Sequence, residues 1–86
     1  MNILKPIERM KNYFISDSYF VSIYEGHIYI MNYDKILSFT DQKCIIQFES
    51  FNICLKGESF RLVRKTKREL DINGNLNNME IIYGKN

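Results

Sequence analysis

Residues 51–76 read FNICLKGESFRLVRKTKRELDINGNL. Apolar residues alternate with polar ones through Phe51, Ile53 and Leu55, again through Phe60 and Leu62, and again through Leu70 and Ile72. That period of two belongs to a half-buried strand. Gly57-Glu58-Ser59 and Asn73-Gly74-Asn75 interrupt the alternation with residues suited to turns. The stretch therefore reads as a series of short antiparallel strands. Its basic run, Arg61, Arg64, Lys65, Lys67 and Arg68, is either a site for an anionic partner or the wet side of a small sheet.

Upstream, the same period continues through Tyr19–Tyr24, His27–Asn32, Ile36–Phe39 and Cys44–Phe48, and downstream it returns at Met79–Tyr83. Strand starts fall about 8–10 residues apart with short connections, too short for the crossover that a parallel pair requires. The expectation is an all-β, antiparallel meander over residues 19–83, folded as a sandwich or roll. A short β-solenoid is the alternative that such regular spacing also allows. Parity puts Ile46, Phe48, Phe51, Ile53, Leu55, Phe60, Leu62, Leu70 and Ile72 on the core face. Gln47, Glu49, Asn52, Lys56, Arg61, Lys65, Glu69 and Asp71 fall on the other. Glu69 and Asp71 follow the basic run closely enough to compensate it, so a solvated, edge-protecting face is the default reading of the cluster.

Residues 1–18 read differently. Ile3, Leu4, Ile7 and Met10 share a helical face, with Lys5, Arg9 and Lys11 beside it, and Pro6 fits only a first turn. A two-turn helix starting near Lys5 is not stable alone. It is expected to cap the sheet, or to lie on a membrane surface or a partner.

With 86 residues the chain makes one domain with a thin core, and 45% apolar with 26% charged residues is a globular composition. No window reaches the roughly 18–20 apolar residues of a membrane span, and the N-terminus lacks a signal-peptide core, so a cytoplasmic protein is expected. Cys44 and Cys54 are the only cysteines and His27 the only histidine. They form no metal-ligand spacing, and the thiols are expected to be packing residues. His27 follows Glu25-Gly26, where an imidazole serves as a turn partner. Gly57 and Gly74 lie in no phosphate-binding context. No catalytic, cofactor or metal residue is therefore assigned.

The segment GHIYIMNYDKILSFTD, followed by an FxIxLKGESFRL unit and DINGNLNNMEIIY, resembles the YabP/YqfC family of small sporulation proteins, and is closer to its YqfC branch. His27-Ile28-Tyr29-Ile30 with Asn32 resembles the family's H-I-Y-I-E-N stretch, with Met31 in place of the acidic residue. Ser38-Phe39-Thr40-Asp41 resembles its F-S-D turn. Lys56-Gly57 with Phe60 and Leu62 resembles its K-G unit, and Gly74 with Leu76 and Met79 its G-x-I-x-x-I ending. The likeness runs from about Gly26 to Tyr83. It implies a non-enzymatic structural or interaction protein of endospore formation, in the mother cell near the forespore envelope, with no cofactor. The implied partner is a protein of the sporulation machinery, in solution or at a membrane. Weak peripheral membrane contact is a second mode, on the mother-cell side of the forespore membrane.

The residues proposed for such contacts are Lys5, Arg9 and Lys11 at the N-terminus together with Arg61, Arg64, Lys65, Lys67 and Arg68. The alternative function is a small basic nucleic-acid-binding β-domain. The net charge of +2 is too small to favour it by itself.

The parity assignment has a direct test. Ile53→Ala should cost about 2–4 kcal/mol through the cavity it leaves, and Asn52→Ala, one residue away, under about 0.5 kcal/mol. Denaturant melts measure both, and equal losses would reject the assigned faces.

Overall fold

The computed structural model describes residues 2–6, 11–14, 20–24 and 26–83, with side chains from Val21 onward. Among these residues are eight strands: β1 (Asn2–Pro6), β2 (Lys11–Phe14), β3 (Phe20–Tyr24), β4 (His27–Met31), β5 (Lys35–Phe39), β6 (Lys43–Gln47), β7 (Phe51–Lys65) and β8 (Glu69–Tyr83). Every pairing is antiparallel, in the order β2-β3-β4-β8-β7-β6-β5, with β1 added beside β8. The all-β, antiparallel expectation holds. The pure meander does not, because β4 leaves its sequence neighbour β5 and pairs with β8. Nor does the chain form the stacked repeats of a solenoid, since its longest ladder is the β7–β8 hairpin.

Four of the strands read from the sequence are two. Phe51–Lys56 and Phe60–Lys65 are halves of β7, and Glu69–Asn73 and Met79–Tyr83 are halves of β8. Fully extended, 15 residues would span about 50 Å. The molecule measures only 29 × 27 × 23 Å, so both strands bend. The bend falls where the sequence suggested turns. Register shifts flank Gly57 and Glu58, which lie opposite Leu76 and Asn75, and Ser59 and Gly74 take positive φ values of 60° and 144°.

Phe60 fills the inside of this corner and is 3% exposed. A methyl group on Gly74 would stand 2.6 Å from the Phe60 ring, and one on Gly57 would meet the Asn75 carbonyl oxygen and, at 2.8 Å, the same ring. The turns of neighbouring hairpins tie the corner from outside. Phe60 N donates to Asp41 O at 2.9 Å, Gly57 N to Gln42 O at 2.9 Å, and Gly74 N to Gly26 O at 3.0 Å.

The bend divides the ladders into two halves. Residues 69–73 of β8 pair with β4 and with 61–65 of β7, while residues 78–83 pair with β1 and with 51–56 of β7. Val21, Ile23, Ile28, Ile30, Leu70 and Ile72 from one half meet Cys44, Ile46, Ile53, Leu55, Met79 and Ile81 from the other in a single core. Each residue that parity assigns to the core is buried except Leu62. Leu62 stands opposite buried Ile72, on the core side, yet is 40% exposed, because β6 covers only the first half of β7. Cys54 is buried although it faces away from Ile53 and Leu55.

The expected N-terminal helix is not found among the described residues. Residues 2–6 and 11–14 are strand, and residues 7–10, the middle of that helix, lie outside them. A two-turn helix has little to set against the ladder that residues 78–82 of β8 offer β1. Pro6 is tolerated because β1 is an edge strand and Pro6 ends it.

The corner is where stability should be most sensitive to small changes. Phe60→Ala is expected to cost about 3–5 kcal/mol. Gly57→Ala and Gly74→Ala should each cost more than Gly26→Ala. Gly26 has φ of 80° but nothing within 4 Å of an added methyl, so its loss is the backbone term of about 1–2 kcal/mol. Thermal melts of the four variants rank them.

Candidate functional site

The basic run lies on the second half of β7 and the turn that follows it. Arg61, Arg64, Lys65, Lys67 and Arg68 are all exposed. A bulge between Leu62 and Arg64 leaves Val63 as the extra residue, and this sets Arg64 opposite Asp71. Arg64 Nη2 then reaches Glu69 Oε1 at 3.0 Å, and its Nε lies 4.0 Å from Asp71 Oδ2. An exposed pair of this kind contributes at most about 1 kcal/mol. It does occupy the guanidinium. Tyr29 stands opposite Asp71 on the same face, and burial first, then the Glu69 carboxylate it hydrogen-bonds, hold its phenol above the usual range.

Arg61, Lys65, Lys67 and Arg68 have no carboxylate within 4.0 Å among the described residues. Arg61 is held in the ladder opposite Asn73, and Lys65, Lys67 and Arg68 border or lie on a fixed turn. Thr66 N donates to Glu69 O at 2.9 Å, and Thr66 Oγ1 accepts from Glu69 N at 3.0 Å and Arg68 N at 3.3 Å. From the β4–β5 connection, the buried Tyr33 hydroxyl donates to Thr66 O at 2.7 Å and Asn32 N to Arg68 O at 2.6 Å. Thr40 organises the β5–β6 turn in the same way, its Oγ1 accepting from Lys43 N at 3.0 Å and Gln42 N at 3.2 Å. Sequence reading put Tyr33, Thr40 and Thr66 in turns but gave their side chains no part in fixing them. The signal present was a threonine opening each four-residue turn, T-D-Q-K and T-K-R-E.

The N-terminal cations do not join this surface. Lys5 lies on β1 opposite Met79, beside the far half of β8, and Lys11 lies on β2, at the opposite edge of the half-sheet from β7. Arg9 lies outside the described residues. The eight candidate residues therefore separate: Arg64, Lys65, Lys67 and Arg68 gather at the end of the β7–β8 hairpin, Arg61 lies toward the corner opposite Asn73, and the N-terminal positions lie elsewhere.

His27 is exposed opposite Asn73 and Tyr24. No three His, Cys, Asp or Glu side chains gather to hold a metal ion among the described residues. Cys44 and Cys54 sit at adjacent ladder positions, opposite Leu55 and Ile45, and so point to opposite faces. Both are buried, and burial pushes the Cys44 thiol up to about 12. Comparison with protein-family models, curated proteins and solved structures gives no match to this chain.

The raised Cys44 value has an alkaline consequence. In the unfolded chain the thiol ionises near about pH 8.5, while the folded chain keeps its proton until about 12. Below the lower value the group contributes no pH dependence. Above it the unfolded state is favoured by about 1.4 kcal/mol per pH unit. Stability measured by urea melts from pH 8 to 11 should fall less steeply in Cys44→Ala than in the natural chain by about that slope.

Proposed function

We propose that this chain is a non-enzymatic interaction module that recruits a protein partner through the basic end of its long hairpin. The observation that carries the reading is the set of four exposed cations, Arg61, Lys65, Lys67 and Arg68. They lack internal partners among the described residues; Lys67 and Arg68 lie on the turn fixed by Thr66, Tyr33 and Asn32, Lys65 ends the strand that enters it, and Arg61 stands nearer the corner, opposite Asn73. Exposed charge on a rigid element loses little freedom on binding and steers an oppositely charged partner. The YabP/YqfC resemblance over Gly26–Tyr83 supports a setting in endospore formation, in the mother cell near the forespore envelope.

Phosphate groups would meet the same cations, so nucleic acid is the second reading. Stacking on aromatic side chains normally accompanies single-strand binding. Among the described residues the large exposed aromatics, Tyr24 and Tyr83, belong to β3 and to the far end of β8, away from the basic turn. Peripheral membrane attachment through the N-terminus and the turn together is weakened by the placement of Lys5 and Lys11 away from it. At about 1 kcal/mol per basic residue near an anionic surface, the turn alone would hold a membrane only transiently.

The test is a triple reversal, Arg61→Glu with Lys67→Glu and Arg68→Glu, in the full chain carrying a fluorescent tag in sporulating cells. Loss of enrichment at the forespore envelope, with a melting temperature changed by only a few degrees, is the expected result. Unchanged enrichment would reject the surface. In parallel, sub-micromolar binding of an oligonucleotide at physiological salt, falling steeply as salt rises, would replace the protein partner by nucleic acid.

A further inference from the structure

β5 and the second half of β7 run side by side without pairing. One end of β5 is tied to the end of β7 through Tyr33 Oη to Thr66 O and Asn32 N to Arg68 O, and the other is tied to the corner through Phe60 N to Asp41 O. Residues 33→41 therefore run antiparallel to residues 66→60. Along that length no hydrogen-bond ladder forms, and every Cα of β5 lies more than 8 Å from every Cα of β7. Neighbouring strands are about 4.8 Å apart, so two edges with a strand between them stand about 9.6 Å apart. The seam is too wide to be a distorted pair.

Each bordering strand carries a bulge at its midpoint. Ile36 pairs with Ile46 and Ser38 with Ile45, leaving Leu37 as the extra residue, while Leu62 pairs with Ile72 and Arg64 with Asp71, leaving Val63. Bulges and lysines on edges ordinarily discourage pairing. Here the extra residues are apolar and about half exposed, Leu37 at 48% and Val63 at 53%, and counted from the two tied ends each is the middle residue of its side of the seam. Leu62, on the core side of its strand, adds a third apolar side chain left open at the same place.

Charge is distributed unevenly along the seam. Lys35, Lys65, Lys67 and Arg68 gather at the Thr66 end, with Asp34 and the partly exposed Glu69, which pairs with Arg64, near them, whereas Asp41 and Glu58 lie with Arg61 and Lys43 at the corner end.

We propose that the seam between β5 and residues 61–65 of β7 receives an extended segment of a partner protein, apolar at its centre and carrying carboxylates toward the Thr66 end. This rests on the interaction reading above and gives the partner's chemistry and its mode of entry. The central side chains of the segment cover Leu37, Leu62 and Val63. Its backbone pairs with the open edges above and below the two bulges, and its carboxylates meet the basic turn.

The experiment uses the full chain and three nine-residue peptides with blocked termini. The first is Asp-Glu-Asp-Thr-Val-Leu-Val-Thr-Ser, the second replaces its acidic end by Lys-Arg-Lys, and the third replaces Val-Leu-Val by Ser-Asn-Ser. The first should bind and perturb the amide resonances of residues 35–39 and 61–65, and each replacement should weaken binding by at least about tenfold. Leu37→Ser with Val63→Ser, both at exposed positions, should weaken the first peptide equally without lowering the melting temperature. Absence of binding by the first peptide at millimolar concentration, or perturbations confined to other residues, would overturn the proposal. So would a dimer in sedimentation equilibrium whose contact already protects these amides, since the occupant would then be a second copy. If the serine variant binds the first peptide normally while the triple charge reversal abolishes binding, the seam proposal falls and the basic surface alone remains.

Discussion

The phenyl ring of Phe60, seated against Gly57 and Gly74, is the constraint on which the rest of the molecule depends. Two 15-residue strands paired along their length would make a flat ribbon with one face unprotected. The ring needs space that only residues without a Cβ leave, on both strands at one level. The ribbon therefore folds there and brings its two halves over a common core. Positive φ at Ser59 and Gly74 supplies the backbone geometry, and three backbone hydrogen bonds from the 26 and 41–42 turns hold it. In a core this thin, losing one ring removes a large share of the buried apolar area.

Because β8 crosses the bend, it serves both halves, and the N-terminal strands depend on it. β1 pairs with residues 78–82 and β4 with residues 69–73. The β1–β8 ladder joins the first strand to the last. Non-local pairing of this sort carries a loop-closure cost that local hairpins avoid, so the β5–β6 and β7–β8 hairpins are the natural starting points for folding. Their turns share one device, a threonine hydroxyl accepting backbone N–H groups.

The same bend shapes the surface. It carries the end of β7 past the reach of β6, leaving an edge without a neighbour, and it turns that edge alongside β5. Charges that look like one cluster in the sequence are thereby separated by role. The bulge at Val63 rotates Arg64 toward Asp71 and Glu69, where it is neutralised, while Arg61, Lys65, Lys67 and Arg68 stay available. The apolar extra residues of the two bulges are exposed beside them.

Alternation along short stretches was enough to determine the all-β class, most strand positions and nearly all of the core face. Those are properties of residues two apart, written into the chain wherever one side of a strand is dry. Ile46, Ile53, Leu55, Leu70 and Ile72 are core residues by parity and are buried. The solvent-facing basic run was equally legible. Only the tertiary structure decided that Gly57-Glu58-Ser59 and Asn73-Gly74-Asn75 are one bend rather than two turns, because that depends on the two irregularities falling opposite each other across the ladder. It also decided that β4 pairs with β8 and that Arg64 is neutralised by a bulge one residue away. Leu62 lies open on the core side for the same kind of reason, since no neighbouring strand reaches it. Each of these depends on which distant residues meet, and local pattern carries no record of that.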